Sequence, residues 1–526
     1  MDEISADDWC RLNTLGNALV IAPPGCGKTE LLARRAAACV GSGLISPGRK
    51  ILAVTFTNKA RDNLASRMQD HVGRGFRRHV SVVNFQGIAL NLYRRHRYVL
   101  PDSVQELLPD DRALRQLERR TFDEYRVPRD AQQEFQVSIR TAKAGAFSDA
   151  EVMERLEESG LAAACWYERQ LQSEGRMDHD DVLRLGLRVL KNEQVAALYA
   201  ERYAYVLVDE AQDLTRVQYD LVKPLGREGT VFAGDRAQGI YAFAGADPDW
   251  VFERIESRKP VRIRLSQSYR SSPEVLAVVS AIAAELGGEE LTSAELERWR
   301  GHGRALVASF AGQRDEAAWL VKQIESWREQ AAGEVPPRGI TVGVLSRMKP
   351  GGRRDVFLAQ AQAAGIDVEV WVHPLHRPEV VQLIRKHLDA VLATVPEGRA
   401  QVEELYLRCV SEVAAENAST LIDLKDAADE LVAEIEVHDL RPLVDRIRVA
   451  SDVSMPVGPG VHLLTGHSGK GQGFDKVIVL GFKEGQTPSF FVKGLPDNDP
   501  MVREELALLH VIAGLKRPGI RGGSVP

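Results

Sequence analysis

Two short motifs constrain this chain more than any other feature. The first is Ala22-Pro23-Pro24-Gly25-Cys26-Gly27-Lys28-Thr29 and the second is Val206-Leu207-Val208-Asp209-Glu210-Ala211-Gln212-Asp213. The apolar run Asn17-Ala18-Leu19-Val20-Ile21 predicts a buried strand ahead of the first motif, and the helix formers from Lys28 to Ala37 predict a helix after it. Strand, glycine turn and helix is the context in which backbone N–H groups can cradle phosphates. Gly25 and Gly27 let the loop wrap an anion without Cβ clashes. Pro24, Gly25, Cys26, Gly27, Lys28, Thr29 and Glu30 are therefore expected to line a nucleoside-triphosphate site. Lys28 is expected to reach the β- and γ-phosphates, and Thr29 to hold Mg²⁺.

The second motif supplies the other half of such a site. Tyr205-Val206-Leu207-Val208 reads as a second buried strand that delivers Asp209 and Glu210 at its C-terminal end. Ligands of open α/β sheets bind at that end. Asp209 is expected to coordinate Mg²⁺, and Glu210 to orient and deprotonate the attacking water. ATP and Mg²⁺ are therefore the expected cofactors, with Lys28, Asp209 and Glu210 as catalytic residues.

Further stretches follow in an order that resembles the superfamily-one DNA helicases of the UvrD/Rep/PcrA type. Asp209-Glu210-Ala211-Gln212-Asp213 is similar to motif II of that family, and Ala53-Val54-Thr55-Phe56-Thr57-Asn58-Lys59-Ala60 to motif Ia. Val83-Asn84-Phe85-Gln86-Gly87 stands where the family has its next DNA-contacting stretch. Asp178-His179-Asp180-Asp181-Val182-Leu183 resembles a pattern that precedes motif II. Gly234 to Ala246 resembles motif III, Leu265 to Ser271 motif IV, and Leu464 to Gly471 motif V. The resemblance covers residues 18 to about 490.

The resemblance implies roles for individual residues. Gln238 would sense the γ-phosphate, Tyr269 would stack on adenine, and Arg270 would act as an arginine finger. Phe56, Tyr241 and Phe243 would stack on bases of a single strand, while Thr55, Thr57, Asn58, Thr465 and His467 would line the DNA path. It also implies an ATP-dependent 3′-to-5′ translocase or helicase on single-stranded DNA. In layout the chain is similar, too, to compact UvrD-like subunits that accompany a nuclease in bacterial anti-phage systems such as Gabija. The alternative function is then a nucleotide- and DNA-sensing regulatory subunit with a nuclease partner.

Several positions depart from the family pattern. Asp8 stands where an adenine-reading Gln is usual, Ala244 replaces an Arg in motif III, and Gly473 replaces a Glu in motif V. Glu504 to Val511 starts like motif VI, but Gly514-Leu515-Lys516-Arg517-Pro518 follows where a Thr-Arg pair is usual. In the simplest register Leu515 takes the place of a second arginine finger, and Lys516 or Arg517 could substitute only with a shift. Hydrolysis is then expected to be weak or partner-dependent, because such a finger contributes roughly 10³–10⁵ in rate.

The fold class expected is α/β: two RecA-like P-loop domains of parallel sheets flanked by helices, each with a mostly helical insertion. The first domain is placed at 1–96 and 197–275, its insertion at 97–196, the second domain at 276–372 and 459–526, and its insertion at 373–458. Strands are expected at Ala305–Phe310, Ile340–Leu345, Val461–Leu464 and Val477–Leu480, and a helix at Asp426–Glu436. The net charge of −6, from 68 basic and 74 acidic residues, leaves room for DNA binding only through a local basic track. One such track is Arg74 to Arg97, with Arg77, Arg78, Arg94 and Arg95 near Phe85 and Tyr93. The five cysteines lack metal spacing and suit a reducing cytoplasm. No apolar run is long enough to span a membrane, and a cytoplasmic location is expected.

Overall fold

The computed structural model describes residues 3–56, 58–103, 105–128, 131–241, 245–299, 304–333, 339–346, 352–371, 378–396, 398–412, 431, 439–441, 444, 457–464, 469–470, 472–482 and 500–514. The chain divides into two compact units, Met1–Ser266 and Gln267–Pro526.

Six parallel strands form the sheet of the first unit: β1 (Ala18–Ile21), β2 (Lys50–Thr55), β3 (Val80–Asn84), β4 (Tyr203–Val208), β5 (Gly229–Gly234) and β6 (Val261–Arg264). Their order is β3-β2-β4-β5-β1-β6. All six residues of β4 and of β5 are buried, the uninterrupted apolar pattern of a parallel strand covered on both faces. Alternate residues feed two separate cores. Leu19, Leu52, Val54, Val206, Val208 and Phe232 face one, against the helices Phe85–His96 and His179–Leu190. Val20, Ile51, Ala53, Tyr205, Leu207 and Val231 face the other, against the helix Lys28–Gly41.

Close approach fixes this sheet at one glycine. A Cβ on Gly229 would lie 2.5 Å from the backbone of Gly16, which leaves no room for a side chain at the start of β5.

Between β3 and β4 the chain inserts helices Asp111–Glu124, Gln132–Ala142, Asp149–Glu158 and Ala162–Ser173, which share a core of Leu117, Phe135, Ile139, Leu156 and Leu171. A buried ionic network joins these helices to His179–Leu190. The ammonium of Lys143 lies 2.7 Å from Glu168, 2.7 Å from Asp178 and 2.8 Å from Asp181. Arg184 pairs with Asp181 at 2.7 Å and Asp149 at 2.8 Å, and donates to the Phe147 carbonyl at 2.6 Å. Asp178 also caps the helix His179–Leu190 through a reciprocal bond with Asp181. The Asp178–Asp181 pattern noted in the sequence thus sits at the joint between sheet domain and insertion.

The second unit carries a four-stranded parallel sheet and a short two-stranded one. The short pair is β7 (Gln267–Ser268) with β8 (Thr292–Ser293). The larger sheet comprises β9 (Thr341–Leu345), β10 (Val368–Val370), β11 (Gly460–Leu464) and β12 (Lys476–Val479), in the order β10-β11-β9-β12. Helices Gln313–Ala332 and Arg353–Ala363 pack on it through Leu320, Ile324 and Phe357. Helices Pro378–Thr394 and Arg399–Glu412 have a core of their own, including Ile384, Leu388, Leu405 and Cys409. The strands expected near 340–345, 461–464 and 477–480 form as β9, β11 and β12. Ala305–Phe310 does not form a strand: Leu306 and Val307 are 76% and 79% exposed, and no ladder pairs the segment among the described residues. An apolar run without a neighbouring strand leaves its backbone groups to solvent. The helix expected at Asp426–Glu436 lies outside the described residues apart from Leu431. No helix among the described residues is long and apolar enough to cross a membrane.

Candidate functional site

Strands β1, β2, β4 and β5 deliver the site from their C-terminal ends. After β1 the loop turns through Gly25 (φ 79°) and Gly27 (φ 83°), a left-handed geometry that glycine adopts without strain. Gly27 caps the helix Lys28–Gly41, so Lys28 and Thr29 stand in its first turn beside the unpaired N–H groups. Cys26 is buried, and its N–H donates to the Pro23 carbonyl at 3.3 Å. The loop is stitched to the sheet by the Ala22 N–H, which donates to Gly234 at 3.0 Å.

The two motifs meet here. The Thr29 hydroxyl donates to Asp209 Oδ2 at 3.0 Å, and Lys28 Nζ forms an ion pair with Glu210 and stands 3.7 Å from Asp209. Burial opposes the charge on Lys28, but the Glu210 and Asp209 carboxylates outweigh it and hold the ammonium above its ordinary range. Burial pushes the Asp209 carboxyl up, with Lys28 pulling it back. Glu210 has a left-handed backbone, φ 57° and ψ 48°, rare for a residue with a Cβ and costing about 1–3 kcal/mol. That turn brings its carboxylate to Lys28. A hydroxyl and a carboxylate oxygen 3.0 Å apart form the hard oxygen donor set that suits Mg²⁺.

A residue given no role from the sequence completes the arrangement. Gln212 is fully buried; its amide donates to Glu210 Oε2 at 2.6 Å and accepts the Asp235 N–H at 3.1 Å. A Cβ on Gly234 would lie 2.6 Å from that amide oxygen, so glycine is required for the contact. Asp235 in turn accepts from Gln238 Nε2 at 2.8 Å. Glu210 is thereby tied to the Gln238 segment through one side chain. Its position inside the second motif was the available signal; its two-ended bonding is visible only in three dimensions. Gln212→Ala is expected to lower turnover by about 10–100-fold, the effect of misplacing a catalytic group by roughly 1 Å. Nucleotide affinity should stay close to that of the unaltered chain, which a fluorescent-nucleotide titration beside steady-state kinetics will read.

The other expected residues fall as follows. Phe56, just past β2, stacks on Tyr241 with ring centroids 5.5 Å apart and planes 25° from parallel. The Tyr241 hydroxyl is pushed up by burial, then by Asp213 and Glu210, which places this ring near the carboxylates of the site. Thr55 ends β2, fully buried, with its hydroxyl unpartnered. Glu30 pairs with His71 and, at 3.3 Å, with Arg67. Asn58 begins the helix Asn58–Val72. Tyr269, 56% exposed, and Arg270 belong to the second unit, where the Arg270 N–H donates to Ser268 at 3.3 Å. Thr57, Phe243, Thr465, His467, Ala244 and Leu515 lie outside the described residues. The basic track does not combine arginines with stacking rings, because Phe85 and Tyr93 are buried in the core of the first unit.

A parallel sheet with a glycine loop at one strand end and an Asp-Glu pair at another defines a P-loop nucleotide-binding protein with a RecA-like domain. Residues 8–258 match the UvrD/REP helicase N-terminal domain. The chain is 28% identical to ATP-dependent DNA helicase UvrD2 of Mycobacterium tuberculosis, over 94% of this chain and 75% of the relative. It is 30% identical to DNA helicase II of Haemophilus influenzae over 60% of this chain and 45% of that protein. It is 29% identical to ATP-dependent DNA helicase Rep of Escherichia coli over 51% and 41%. Residues 8–258 thus carry a UvrD/REP-type helicase N-terminal domain, and the chain is similar to UvrD/Rep-like helicases.

Proposed function

We propose that the chain is an ATP-dependent DNA helicase or translocase that moves on single-stranded DNA. One observation carries the reading. The phosphate-binding residues Lys28 and Thr29, the carboxylates Asp209 and Glu210, and the Phe56–Tyr241 ring stack all sit at the same edge of one sheet. The relatives named as DNA helicases support the same activity.

In this reading the backbone N–H groups of the loop and Lys28 bind the phosphates, and Lys28 exchanges its Glu210 partner for them. Thr29 and Asp209 would hold Mg²⁺, which when bound neutralises phosphate charge. Glu210, kept in place by Gln212, orients the attacking water and takes its proton. Gln238 reports the γ-phosphate to the segment that carries Tyr241. Tyr269 stacks on adenine, and Arg270 stabilises charge on the transferred phosphoryl group. Phe56 and Tyr241 stack on bases, each contact worth about 1–3 kcal/mol. The direction that the family likeness favours is 3′ to 5′. A nuclease-associated nucleotide switch is the other reading, supported by the compact insertions and by Leu515 in place of a second arginine finger.

The test is ATP hydrolysis by the purified chain with and without single-stranded DNA, with Lys28→Ala as the control. Hydrolysis stimulated by DNA and lost in Lys28→Ala is the expected result. ATP binding without turnover above the control would replace the motor with the switch.

A further inference from the structure

Residues 71–100 hold six arginines and three histidines and not one Asp or Glu, in a chain with 74 acidic residues. The fold gathers this charge at one place. Arg74, Arg77 and Arg78 immediately precede β3, the strand at the end of the sheet. The helix Phe85–His96 follows β3 and runs back along it. Its 12 residues rise about 18 Å against about 16 Å for the five of β3. Its last turn, with Arg94 and Arg95, therefore returns to the level where β3 begins, and Arg97 follows. All six arginines are exposed. This is the N-terminal edge of the sheet, opposite the edge that carries Lys28, Asp209 and the Phe56–Tyr241 stack.

Five of the six arginines have no internal acidic partner among the described residues. Arg97 pairs with Glu106 at 3.2 Å. Among the described residues no carboxylate pairs with Arg74, Arg77, Arg78, Arg94 or Arg95. Elsewhere on this unit Arg34, Arg49, Arg169, Arg188 and Arg216 are all neutralised by acids. Lys50 adds another cation at this corner and holds the turn by donating to the Arg77 carbonyl at 2.6 Å.

We infer that this corner is a second DNA-binding surface, one that holds the phosphate backbone of duplex DNA without reading its sequence. A polyanion supplies the charge complement that the chain itself withholds. Duplex fits better than single strand, because single-strand grooves rely on a series of stacking rings. Here Phe85 and Tyr93 are core residues, and Tyr98 is the one strongly exposed aromatic of the stretch. The surface lies at the far edge of the sheet from the proposed single-strand path and involves no nucleotide, so its failure would leave the motor reading intact.

The experiment is fluorescence anisotropy of the full chain over a salt series. The probes are a blunt-ended duplex of about two helical turns and an oligo-thymidine strand. The variant R77E/R78E/R94E/R95E is expected to bind the duplex at least about tenfold more weakly at low salt. Its slope of log K against log salt should be shallower by about 3–4, close to one per phosphate contact removed. Oligo-thymidine binding should stay within about twofold, since none of these arginines sits on the single-strand path. The milder set R77Q/R78Q/R94Q/R95Q should shift both duplex quantities in the same direction and by less. Three results overturn the inference: a wild-type chain that does not bind the blunt duplex, a charge-reversed chain with unchanged duplex affinity and slope, or parallel loss of duplex and oligo-thymidine binding in the glutamine set.

Discussion

Glu210→Gln is expected to reduce ATP turnover by about 10²–10⁴-fold, the usual worth of a positioned general base. The substitution keeps the shape and the left-handed backbone at this position but removes the ability to accept a proton. The oxygen that now meets both Lys28 and Gln212 becomes a neutral amide oxygen. Two consequences separate this from simple damage. Nucleotide affinity should be equal to or tighter than in the unaltered chain, because Lys28 no longer has to leave a carboxylate before it meets a phosphate. Thermal stability should change little, because Glu210 is about a quarter exposed while Asp209 still faces Lys28. Steady-state turnover and a fluorescent-nucleotide titration on the same preparation read both quantities. Turnover within a factor of about two of wild type would remove Glu210 from the role of base.

Lys143→Ala is the substitution with the largest expected cost in stability, about 3–5 kcal/mol, as when one partner of a buried ion pair is deleted. Lys143 is fully buried, and three carboxylates converge on its ammonium. Without it Arg184 still pairs with Asp181 and Asp149, while Glu168 and Asp178 lose the ammonium they face. The insertion core of Leu117, Phe135 and Leu171 then loses its joint with His179–Leu190, and limited proteolysis should cut between residues 97 and 178 first. Urea unfolding followed by tryptophan fluorescence measures the loss, since Trp166 lies in the insertion. An unaltered unfolding midpoint would show that the network is neutralised by other means.

The same network carries a pH signature. Asp178 is pushed up to about 7 by burial and then by the neighbouring Asp181 charge, with Lys143 opposing. The unfolded chain releases that proton near the ordinary carboxylate value, about 4. Between about pH 4 and 7 the folded state thus binds more protons than the unfolded one, and this group's contribution to stability falls as pH rises through that window. Asp178→Asn imitates the protonated form. It should flatten that part of the stability–pH curve, most visibly as a smaller loss between pH values of about 5 and 7.5.

Sequence and structure agree most where a rule is local. Val206–Val208 and Leu19–Ile21 are continuous apolar runs bounded by the residues of the site, so strand and chemistry are specified within a dozen positions. The resemblance extended this to Phe56 and Tyr241, which the fold does bring together. What was not legible depends on distant partners. Nothing beside Lys143 announces that it will bury its charge against residues 35 and 38 positions away. Phe85 and Tyr93 stand near arginines in the sequence, yet helical geometry turns those rings inward and Arg94 and Arg95 outward. Leu306 and Val307 have strand composition, but a strand exists only where another lies beside it.

Arg35 shows how the nucleotide loop is coupled to the start of the chain. It lies two turns beyond Lys28 on the same helix, fully buried, and its guanidinium donates to the carbonyls of Trp9, Cys10, Leu12 and Thr14. The rings of Trp9 and Tyr205 lie 5.4 and 5.9 Å from its central carbon. A planar five-donor fork can hold several carbonyls at once, which a lysine cannot. Residues 9–14 are therefore riveted to the helix that begins at Lys28, and the two travel as one piece. Asp8, just ahead of that segment, is thereby placed relative to the glycine loop. The spacing between the start of the chain and the glycine loop is thus held largely by one buried arginine on the helix that follows that loop.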